Sequence, residues 1–597
     1  YTGARSFGQG YPTNVGSFQL NFGGGFTDIV ISKLSADGSA LMYATYLGGN
    51  DDDLPHSMVV NANEELFVLG SSSSFDYPVS MGAYDTSLNG PGFGITDIVI
   101  THLNSNGSAI IGSTYLGGAD MDGFNQIAYN YGDNFRGEIV LEAAGNCVVA
   151  ASTSSTDFPV TPGALQAANA GQQDAVLVSL DPALSILLFS TYIGGAGMDA
   201  GYGLTPDGTG GYFVCGAAEG QGFPITPGVF APAYSGGAND AFVAHISGNG
   251  SVMAQSTFFG TTSLDQAFFV DTDQDGFVYI YGESAGTIPI TPAGTYGTPG
   301  DVFVAKLEPD LSATLITTEM GDGTDLAPIA FLVDVCGHIY ISMHAGPYAM
   351  GFGMPITANA LQATGGFYLA AFDADLTSLL FGSYYGGDGD HVDGGTSRFD
   401  KDGIVYQGVC TDFGFNTTAN AFSSTYPFGY DIGVFKIDFQ VAAVNAAGGS
   451  NINEGCAPVE IEFSNTSTGD QWIWDFGDGS PTVSIFEPTY TYTTQGSYTV
   501  MLIAYDSLTC TVADTITFPI TINTAQVLTA GFTISQTVDC SVFQVQTNNT
   551  TTGSGVSFQW NMGDGTTYTD TNVVHNYATA GTYDVQLIAY DPVGCAQ

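Results

Sequence analysis

Residues 27–34 read TDIVISKL, an Asp followed by a short run rich in β-branched residues with apolar and polar positions in alternation. Such a stretch predicts a β-strand. It returns along the first three quarters of the chain, as TDIVITHL from residue 96, QDAVLVSL from 173, NDAFVAHI from 239, GDVFVAKL from 300, GFYLAAFD from 366 and YDIGVFKI from 430. We therefore interpret it as the first strand of a repeated unit.

Three further elements follow in each unit. A second strand ends in Gly-Gly, as in ATYLGG (44–49) and STYIGG (190–195). A third strand comes next, then a fourth typified by GFVYIYG (276–282), and a Pro-rich turn such as DFPVTPGAL (157–165) closes the unit. Four short strands in units of about 60 to 75 residues, repeated in one chain, are typical of a β-propeller, in which neighbouring sheets cover one another around a ring.

These four motifs recur in the same order, and they resemble the bacterial seven-bladed propeller repeat, the SBBP family. The resemblance covers residues 1–440 and implies a propeller domain over that range. The first residues, YTGARSFGQGYP, align with the end of a fourth strand in FVLGSSSSFDYP (67–78), and residues 431–439 form a lone first strand. We therefore expect a seven-bladed ring closed by strands from both ends, with more chain before Tyr1. A six-bladed ring with a spare strand is the alternative.

Two related segments follow a flexible joint at 444–450. The first contains WIWDFGDGSP and GSYTVMLIAYD, and the second contains FQWNMGDGTT and GTYDVQLIAYD. Alternating strands joined by Gly-Asp-Gly turns predict small β-sandwiches. Both segments resemble the PKD domain, an immunoglobulin-like module that mostly serves as a spacer or contact surface in extracellular proteins. We place the first at 441–524 and the second at 525–597, where it stops before the final strand that DTITFPITI (514–522) supplies in the first.

The eight cysteines divide into two groups. Cys456 and Cys510 flank the first sandwich, and Cys540 and Cys595 flank the second at equivalent positions, which predicts one disulfide in each. Each would contribute about 3–4 kcal/mol and indicates an oxidising, extracytoplasmic compartment. The other four lie at non-equivalent places in the repeats, where buried free thiols and bridges between adjacent blades are the two alternatives: Cys147, Cys215, Cys336 and Cys410.

The charge balance excludes several classes of partner. The chain has 58 acidic residues and seven Lys plus Arg, a formal net charge of −51. Such a surface repels nucleic-acid phosphates and anionic membranes, whereas cations and neutral polymers such as glycans are not disfavoured. The sequence contains no long apolar run that would predict a transmembrane helix.

One turn has the composition of a calcium loop. DTDQDGFVY places Asp271, Asp273 and Asp275 at alternate positions before a Gly, a pattern that can wrap Ca²⁺ with oxygen ligands. The bidentate Glu of an EF-hand is missing, so an acidic β-turn without metal is the alternative. We interpret the acidic stretches 48–56 and 386–395 as solvated loops, and the Asp that opens each first strand as a cap for backbone N–H groups.

No motif of an enzyme is present: H-E-x-x-H, G-x-S-x-G and the phosphate loop are all missing. Ser507 and Thr515 fit the short Asp-Ser/Thr-aliphatic pattern that the resemblance suggests for bacterial O-glycosylation. The resemblance to both families implies a non-catalytic adhesive or structural protein of the bacterial cell surface, of the kind exported by type IX secretion. Its partners would be other surface proteins, copies of itself in a filament, or glycans. The alternatives are a secreted polysaccharide-active enzyme and a passive glycan-binding protein.

Overall fold

The structure is a computed structural model. It describes the chain apart from residues 91–93, 128–132, 221, 322–325, 346–352, 388, 393–396, 402, 412–414, 426–428, 430, 440, 442–443, 470, 506–512, 525–526, 540–541, 554 and 592–597. The chain separates into two compact units, Tyr1–Val441 and Ala442–Gln597. The described residues form β-strands and one short 3-10 turn at Asp133–Phe135, so the all-β prediction is confirmed. In the described residues no helix is long and apolar enough to cross a membrane.

The described part of the first unit contains seven antiparallel sheets. Sheet 1 contains β1 (Thr2–Ser6), β2 (Asp28–Leu34) and β3 (Leu41–Leu47). Sheet 2 contains β4 (Asp53–Val60), β5 (Leu66–Ser72), β6 (Asp97–Leu103) and β7 (Ile110–Leu116). Sheet 3 contains β8 (Glu138–Leu141), β9 (Cys147–Thr153), β10 (Asp174–Leu180) and β11 (Leu187–Ile193). Sheet 4 contains β12 (Asp199–Pro206), β13 (Tyr212–Ala218), β14 (Asp240–Ile246) and β15 (Met253–Phe259).

The remaining sheets follow the same plan. Sheet 5 contains β16 (Asp265–Thr272), β17 (Val278–Ser284), β18 (Val302–Leu307) and β19 (Thr314–Met320). Sheet 6 contains β20 (Leu326–Val333), β21 (Ile339–Ala345), β22 (Phe367–Phe372) and β23 (Leu379–Tyr385). Sheet 7 contains β24 (Arg398–Phe399), β25 (Ile404–Thr411) and β26 (Asp431–Asp438).

The sheets are offset from the sequence repeat by two strands, which corrects the expectation that one repeat makes one sheet. The first and second strands of the unit that starts at residue 96 are β6 and β7, yet they share a sheet with β4 and β5 of the preceding unit. The Pro-rich turn therefore joins strands within a sheet. The Gly-Gly segment carries the chain from the last strand of one sheet to the first strand of the next.

Each apolar layer lies between two consecutive sheets. The layer between sheets 2 and 3 contains Leu69 and Ile100 from the former with Val149 and Val176 from the latter, all fully buried. Every residue of β6 is buried, so its two faces pack against different neighbours. This explains the nearly continuous apolar first strands, because a strand covered on both faces needs no polar side.

The contacts between sheets follow a circle. The first described strand of each sheet contacts the first described strand of the next sheet, from β1 through β4, β8, β12, β16 and β20 to β24, and β25 of sheet 7 contacts β1 of sheet 1. In a second set of contacts, the residue after six of the Pro-rich turns donates its N–H to a carbonyl of the next sheet. That carbonyl lies in the turn between the last two strands of the sheet, which are the first and second strands of the sequence repeat. These pairs are Phe18–Gly107, Tyr84–Leu184, Leu165–Gly250, Phe230–Leu311, Tyr296–Leu376 and, from sheet 7 to sheet 1, Phe422–Gly38.

Arg398 adds a polar link from sheet 7 to sheets 2 and 3. From β24 in sheet 7, its Nε donates to the Met58 carbonyl of sheet 2 at 2.9 Å, and Nη2 donates to the Ile139 carbonyl of sheet 3 at 3.0 Å. The same Nη2 also donates to Ser57 Oγ and Glu138 Oε1. One guanidinium therefore holds sheet 7 to sheets 2 and 3, which lie far from it in the sequence, and its planar fork suits several acceptors at once.

The two ends of the repeat region lie in different sheets. β1 pairs with β2 in sheet 1, and β26 pairs with β25 in sheet 7. The described residues thus contain no sheet formed jointly by strands from both ends, as the expected closure required. Among the described residues, each of these two end sheets has three strands.

The second unit contains two sandwiches. The first has β27 (Gly448–Ser450), β28 (Glu454–Ala457), β29 (Val459–Asn465), β30 (Gln471–Asp475), β31 (Thr489–Tyr492), β32 (Gly496–Tyr505) and β33 (Ala513–Thr524), in sheets β27-β29-β31 and β28-β33-β32-β30. The second has β34 (Phe532–Asp539), β35 (Val542–Asn549), β36 (Ser557–Asn561), β37 (Thr567–Tyr568), β38 (Val574–Tyr577) and β39 (Gln586–Tyr590), in sheets β34-β35-β38 and β37-β36-β39. Trp474 and Trp560 are the fully buried centres of their cores.

Candidate binding surface

The Gly-Gly segment is fixed by side chains of the Pro-rich turn in the next sheet. In sheet 2, Asp76 Oδ1 accepts from the Asn50 N–H at 2.7 Å, and Ser74 Oγ accepts from the Asp51 N–H at 2.8 Å. A Cβ on Gly49 would lie 2.5 Å from Asp76 Oδ1, so the backbone approaches too closely for any other residue. The motifs Tyr-Leu-Gly-Gly and Ser-Phe-Asp-Tyr-Pro are therefore two halves of one contact.

The same contact recurs between sheets 2 and 3. Asp157 Oδ1 accepts from the Ala119 N–H at 2.8 Å, and Ser155 Oγ accepts from the Asp120 N–H at 2.9 Å. A Cβ on Gly118 would lie 2.5 Å from Asp157 Oδ1. The repetition shows that this end of the sheets, where the Gly-Gly and Pro-rich segments meet, is rigidly built.

Buried carboxyls accept hydrogen bonds from backbone N–H groups close to these segments. The Asp that opens the first strand accepts a backbone N–H through Oδ2, as from Gly23 to Asp28 at 2.6 Å and from Asn89 to Asp97 at 2.8 Å. Asp174 and Asp240 accept from Ala170 and Ser235 in the same way. The predicted capping role is thus confirmed for these four.

A second buried Asp, from the segment that leads into the next sheet, lies beside each of them: Asp53, Asp122, Asp199 and Asp265. A Cβ on Gly117 would lie 2.4 Å from Asp97 Oδ1 and 2.7 Å from Asp122 Oδ2, so the two carboxyls flank the glycine. Burial raises the pKa of Asp97 to about 8 and that of Asp122 to about 7, and the charge of Asp122 adds to the shift at Asp97. Burial likewise raises the pKa of Asp53 to about 7. Paired carboxyls with raised pKa values often mark catalytic sites, but these are fully buried.

Two exposed phenylalanines form an aromatic pair at this end of sheet 1. The Phe7 side chain follows β1 and is 62% exposed, and Phe26 precedes β2 and is 72% exposed. Their ring centroids are 5.4 Å apart in an edge-to-face arrangement, and the Arg5 guanidinium lies 6.0 Å from the Phe7 ring centroid. Rings this exposed gain nothing from the protein core, so they are available to a ligand.

Backbone contacts place this pair of phenylalanines beside two carboxylates. Gly25 has a φ of +64° and lies directly against Asp51, since a Cβ on Gly25 would be 2.7 Å from the Asp51 Cα. Asp52 Oδ1 accepts the N–H groups of Phe26 and Thr27. We call Phe7, Phe26, Asp51 and Asp52 the aromatic surface. Its rings and partly exposed carboxylates combine the two groups that bind the apolar faces and the hydroxyls of sugars.

Sequence reasoning did not identify the aromatic surface. The only signal for it is the glycine run GGGF (23–26), which places a large apolar residue after a segment too flexible to be a strand. The exposure of Phe7 and Phe26 depends on how three loops meet, and an apolar residue in a loop is equally compatible with burial.

The carboxyl groups of the three predicted calcium ligands have different surroundings. Asp271 Oδ2 accepts from the Val333 N–H of the next sheet at 2.9 Å, and burial raises its pKa to about 6. Asp273 Oδ1 accepts from the Phe277 N–H, and Oδ2 lies 3.3 Å from Lys306 Nζ. Asp275 is exposed. The turn is thus closed by hydrogen bonds and by a lysine, and calcium at this place stays a prediction that the geometry of the three carboxyls does not favour.

Among the described residues, one set of metal-type ligands does come together, at the equivalent turn of sheet 6. Atoms of Asp334, Cys336 and His338 lie within 4.8 Å of one another. Cys336 is disulfide-bonded, so its sulfur is not a free thiolate, and Asp334 Oδ1 already accepts from the Cys336 and His338 N–H groups. The set is therefore a hydrogen-bonded turn of the same kind as that at Asp273.

The acidic stretches 48–56 and 386–395 prove to be partly buried. Asp53 and Asp390 are 0% and 1% exposed, unlike the solvated loops that we expected, because each carboxyl accepts a backbone N–H, from Gly49 and Gly387 respectively. Asp388 and Asp393 lie outside the described residues.

The cysteines of the first unit are mostly reduced. Cys147 and Cys215 are buried free thiols, Cys410 is a partly buried free thiol, and Cys336 is disulfide-bonded. Burial raises the pKa of Cys147 to about 12, so that thiol is unreactive at neutral pH.

The remaining predicted residues lie in the second unit. Cys456 is disulfide-bonded, while Cys510, Cys540 and Cys595 lie outside the described residues, so the pairing stays a prediction. Thr515 is exposed on β33, and Ser507 lies outside the described residues.

Comparison with known proteins identifies the second unit. Residues 441–522 and 523–597 match the family model of the PKD domain, so this part of the chain consists of two PKD domains, as predicted.

Among solved structures, a carbohydrate-binding module of the β-sandwich superfamily is 16% identical over 26% of this chain and 85% of its own, with a TM-score of 0.16. The extracellular domain of the putative hybrid two component system BT4673 from B. thetaiotaomicron is 10% identical over 80% of this chain and 57% of its own, with a TM-score of 0.27. Xylan beta-1,4-xylosidase from Bacillus halodurans C-125 is 10% identical over 91% and 93%, with a TM-score of 0.26. Similarity at this level does not bear on function.

Proposed function

We propose that the chain is a non-catalytic, adhesive protein of the bacterial cell surface, in which a seven-bladed β-propeller binds a glycan and two PKD domains act as a spacer. The observation that carries the proposal is the aromatic surface, an exposed Phe7–Phe26 pair beside Asp51 and Asp52 on a rigid set of loops.

The propeller interpretation is supported by the cyclic order of the contacts between sheets. Six equivalent hydrogen bonds join consecutive sheets, one of which runs from Phe422 in sheet 7 to Gly38 in sheet 1. A ring of sheets that cover one another needs no further layer, which fits the burial of both faces of β6.

A glycan is favoured over other ligands by charge. With a net charge of −51, the chain repels polyanions, whereas an uncharged polymer has no such penalty. Sugar rings stack on exposed aromatic side chains, and their hydroxyls donate to carboxylates. Binding by the aromatic surface should therefore depend weakly on salt.

The proposal that the protein is non-catalytic rests on the burial of the carboxyl pairs. Those with raised pKa values, such as Asp97 with Asp122, are 0% exposed and bind backbone amides, so substrate does not reach them. The extracellular location is supported by the two PKD domains and the disulfide at Cys456. Export by type IX secretion and assembly into filaments are parts of the proposal that rest on the SBBP and PKD resemblance alone.

The test is a pull-down of the whole chain with insoluble cellulose, chitin and xylan. We expect retention on at least one, and the double variant Phe7→Ala/Phe26→Ala should bind about a hundredfold more weakly, since burial of each of the two rings contributes about 1.5 kcal/mol. The matched control is Phe230→Ala/Phe422→Ala, which removes two partly exposed rings elsewhere in the first unit.

Retention on none of the polymers, or equal loss in both double variants, would contradict glycan binding by the aromatic surface. Release of reducing sugar from any of the three polymers by the native chain would contradict the non-catalytic part of the proposal.

A further inference from the structure

Phe75 is a third exposed phenylalanine at the end of the sheets that carries the aromatic surface. Its side chain is 60% exposed and follows β5 in sheet 2. Its two neighbours in the chain are Ser74 and Asp76, whose side chains accept the N–H groups of Asp51 and Asn50. The backbone that carries the Phe75 ring is therefore held in place on both sides.

Three backbone segments lie side by side at this end: residues 24–26, 50–52 and 73–76. The first contacts the second, because a Cβ on Gly24 would lie 2.7 Å from the Asn50 carbonyl oxygen. The second contacts the third, because the Ser73 N–H donates to the Asp52 carbonyl at 2.9 Å. The three segments thus form one continuous surface from sheet 1 to sheet 2.

The outer two of these segments each carry an exposed ring. Backbone segments in such contact lie about 5 Å apart, as strands in a sheet do, so the attachment points of Phe26 and Phe75 are about 10 Å apart. The middle segment carries Asp51 and Asp52, which are both partly exposed. Two aromatic platforms with carboxylates between them make a longer site than one pair of rings.

The repeat provides an internal comparison for these two rings. Sheets 2 and 3 meet in the same way as sheets 1 and 2, through hydrogen bonds to Asp157 and Ser155. At that junction the residue equivalent to Phe75 is Thr156, and the residue equivalent to Phe26 is Ile95. The framework therefore forms without either ring. Large apolar side chains that are exposed and that the fold does not require indicate a ligand.

We propose that the aromatic surface is one end of a longer site, which binds an extended, uncharged, β-1,4-linked polysaccharide chain that crosses residues 50–52 from Phe26 to Phe75. The two rings stack on sugar faces, and the carboxylates between them accept sugar hydroxyls. The inference rests on the glycan binding proposed above and adds the length and shape of the ligand.

The shape and charge of the site favour this ligand. Two platforms joined by a straight run of backbone suit an extended chain, whereas a coiled α-1,4-linked chain does not present successive sugar faces in one line. The net charge of −51 disfavours an anionic polysaccharide.

The experiment is isothermal titration calorimetry of the whole chain with soluble oligosaccharides. The probes are the hexasaccharides and disaccharides of cellulose, chitin and xylan, with maltohexaose as the coiled chain. We expect one hexasaccharide to bind about tenfold more tightly than its disaccharide, because only the longer chain reaches both platforms. Maltohexaose should bind no more tightly than that disaccharide.

Three variants locate the second platform. Phe75→Ala should reduce the affinity for the hexasaccharide about tenfold, to that of the disaccharide, because one ring is lost. Phe75→Tyr should keep the affinity, because it keeps the ring. Thr156→Ala, at the equivalent place in sheet 3, is the matched control and should bind like the native chain. All three should fold, since Phe75 and Thr156 are exposed.

Equal affinity for hexasaccharide and disaccharide, undiminished binding by Phe75→Ala, or tight binding of maltohexaose would overturn the inference. Each of these results leaves polymer retention that depends on Phe7 and Phe26 intact, so none of them contradicts the proposed function. Failure of every oligosaccharide to bind would also overturn the inference, and the pull-down with insoluble polymers then decides whether glycan binding itself is wrong.

Discussion

The two units of this chain bury different kinds of side chain. In the first unit, Asp28, Asp97, Asp174 and Asp240 are all 0% exposed, beneath glycine-rich segments. In the second unit, no carboxyl is buried among the described residues, and the cores are built on Trp474 and Trp560. All seven Lys and Arg residues precede residue 441.

The difference follows from architecture. In the first unit the chain turns sharply from one sheet to the next, and the backbone groups of those buried turns need polar partners, which short Asp and Ser side chains supply. A sandwich turns at its exposed ends, where water serves as the partner, so its interior remains apolar. The two units should therefore respond differently to the loss of apolar volume, to added bulk and to pH.

The largest effect is expected from Trp474→Ala. The side chain is fully buried between the two sheets of the first sandwich, and its loss should lower the free energy of unfolding by about 3–5 kcal/mol. Differential scanning calorimetry should show a lower melting temperature for the second unit alone. Ile485→Ala, at a site that is 59% exposed, is the control. A matching shift in the first unit would contradict the independence of the two cores.

A smaller effect in the other unit is expected from Gly117→Ala. The added Cβ would lie 2.4 Å from Asp97 Oδ1 and 2.7 Å from Asp122 Oδ2, and such overpacking costs about 1–3 kcal/mol. Urea unfolding should show the loss in the first unit only. Gly449→Ala in the second unit, where the nearest atom to the new Cβ is 3.8 Å away, should be close to neutral. Equal stability of the two variants would mean that the carboxyl pair does not enclose Gly117.

The effect that is smallest over a single pH unit is a dependence of stability on pH, with opposite sign in the two units. Burial raises the pKa of Asp97 to about 8 and of Asp53 to about 7, so the folded first unit binds protons that the unfolded chain has released. Its stability should fall as pH rises from 5 to 8.5, by at most about 1.4 kcal/mol per pH unit for each such carboxyl. Asp97→Asn should reduce the slope.

In the second unit, the Thr566 N–H holds the pKa of Asp564 below its usual range, and His575 adds to the shift. This contribution is present at neutral pH and is lost as pH falls through the lowered pKa, in the acid range. Melting curves collected from pH 3 to 8.5 separate the two trends. A first unit that gains stability between pH 7 and 8.5 would contradict the assignment of buried, proton-retaining carboxyls.

Much of the fold follows from local pattern. The first strands from TDIVISKL onwards, the capping role of Asp28 and its equivalents, and the PKD signatures WDFGDG and GSYTV all depend on short-range chemistry, which is readable in the sequence. The offset of the sheets from the repeat was not predicted, because the alternatives share the same strands and differ only in whether the Gly-Gly segment or the Pro-rich turn crosses between sheets.

The candidate site was harder to predict for a related reason. Asp271, Asp273 and Asp275 have the spacing of ion ligands, yet Lys306 and Val333 from other strands engage two of them. Phe7 and Phe26 form a pair because three loops from two sheets meet. Both outcomes depend on contacts between segments that are distant in the sequence. The local spacing of residues does not predict such contacts.

The closure of the ring is the central claim, and an engineered disulfide tests it most directly. A Cβ on Gly408 in β25 would lie 3.8 Å from the Cβ of Thr2 in β1, which is the separation typical of a disulfide. We predict that Thr2→Cys/Gly408→Cys, made with Cys410→Ser to remove the neighbouring thiol, forms an intramolecular bond that peptide mapping assigns to residues 2 and 408 under mild oxidation. Single variants should give no such product. If the double variant stays reduced, or bonds only between chains, sheets 1 and 7 are not neighbours and the ring is open.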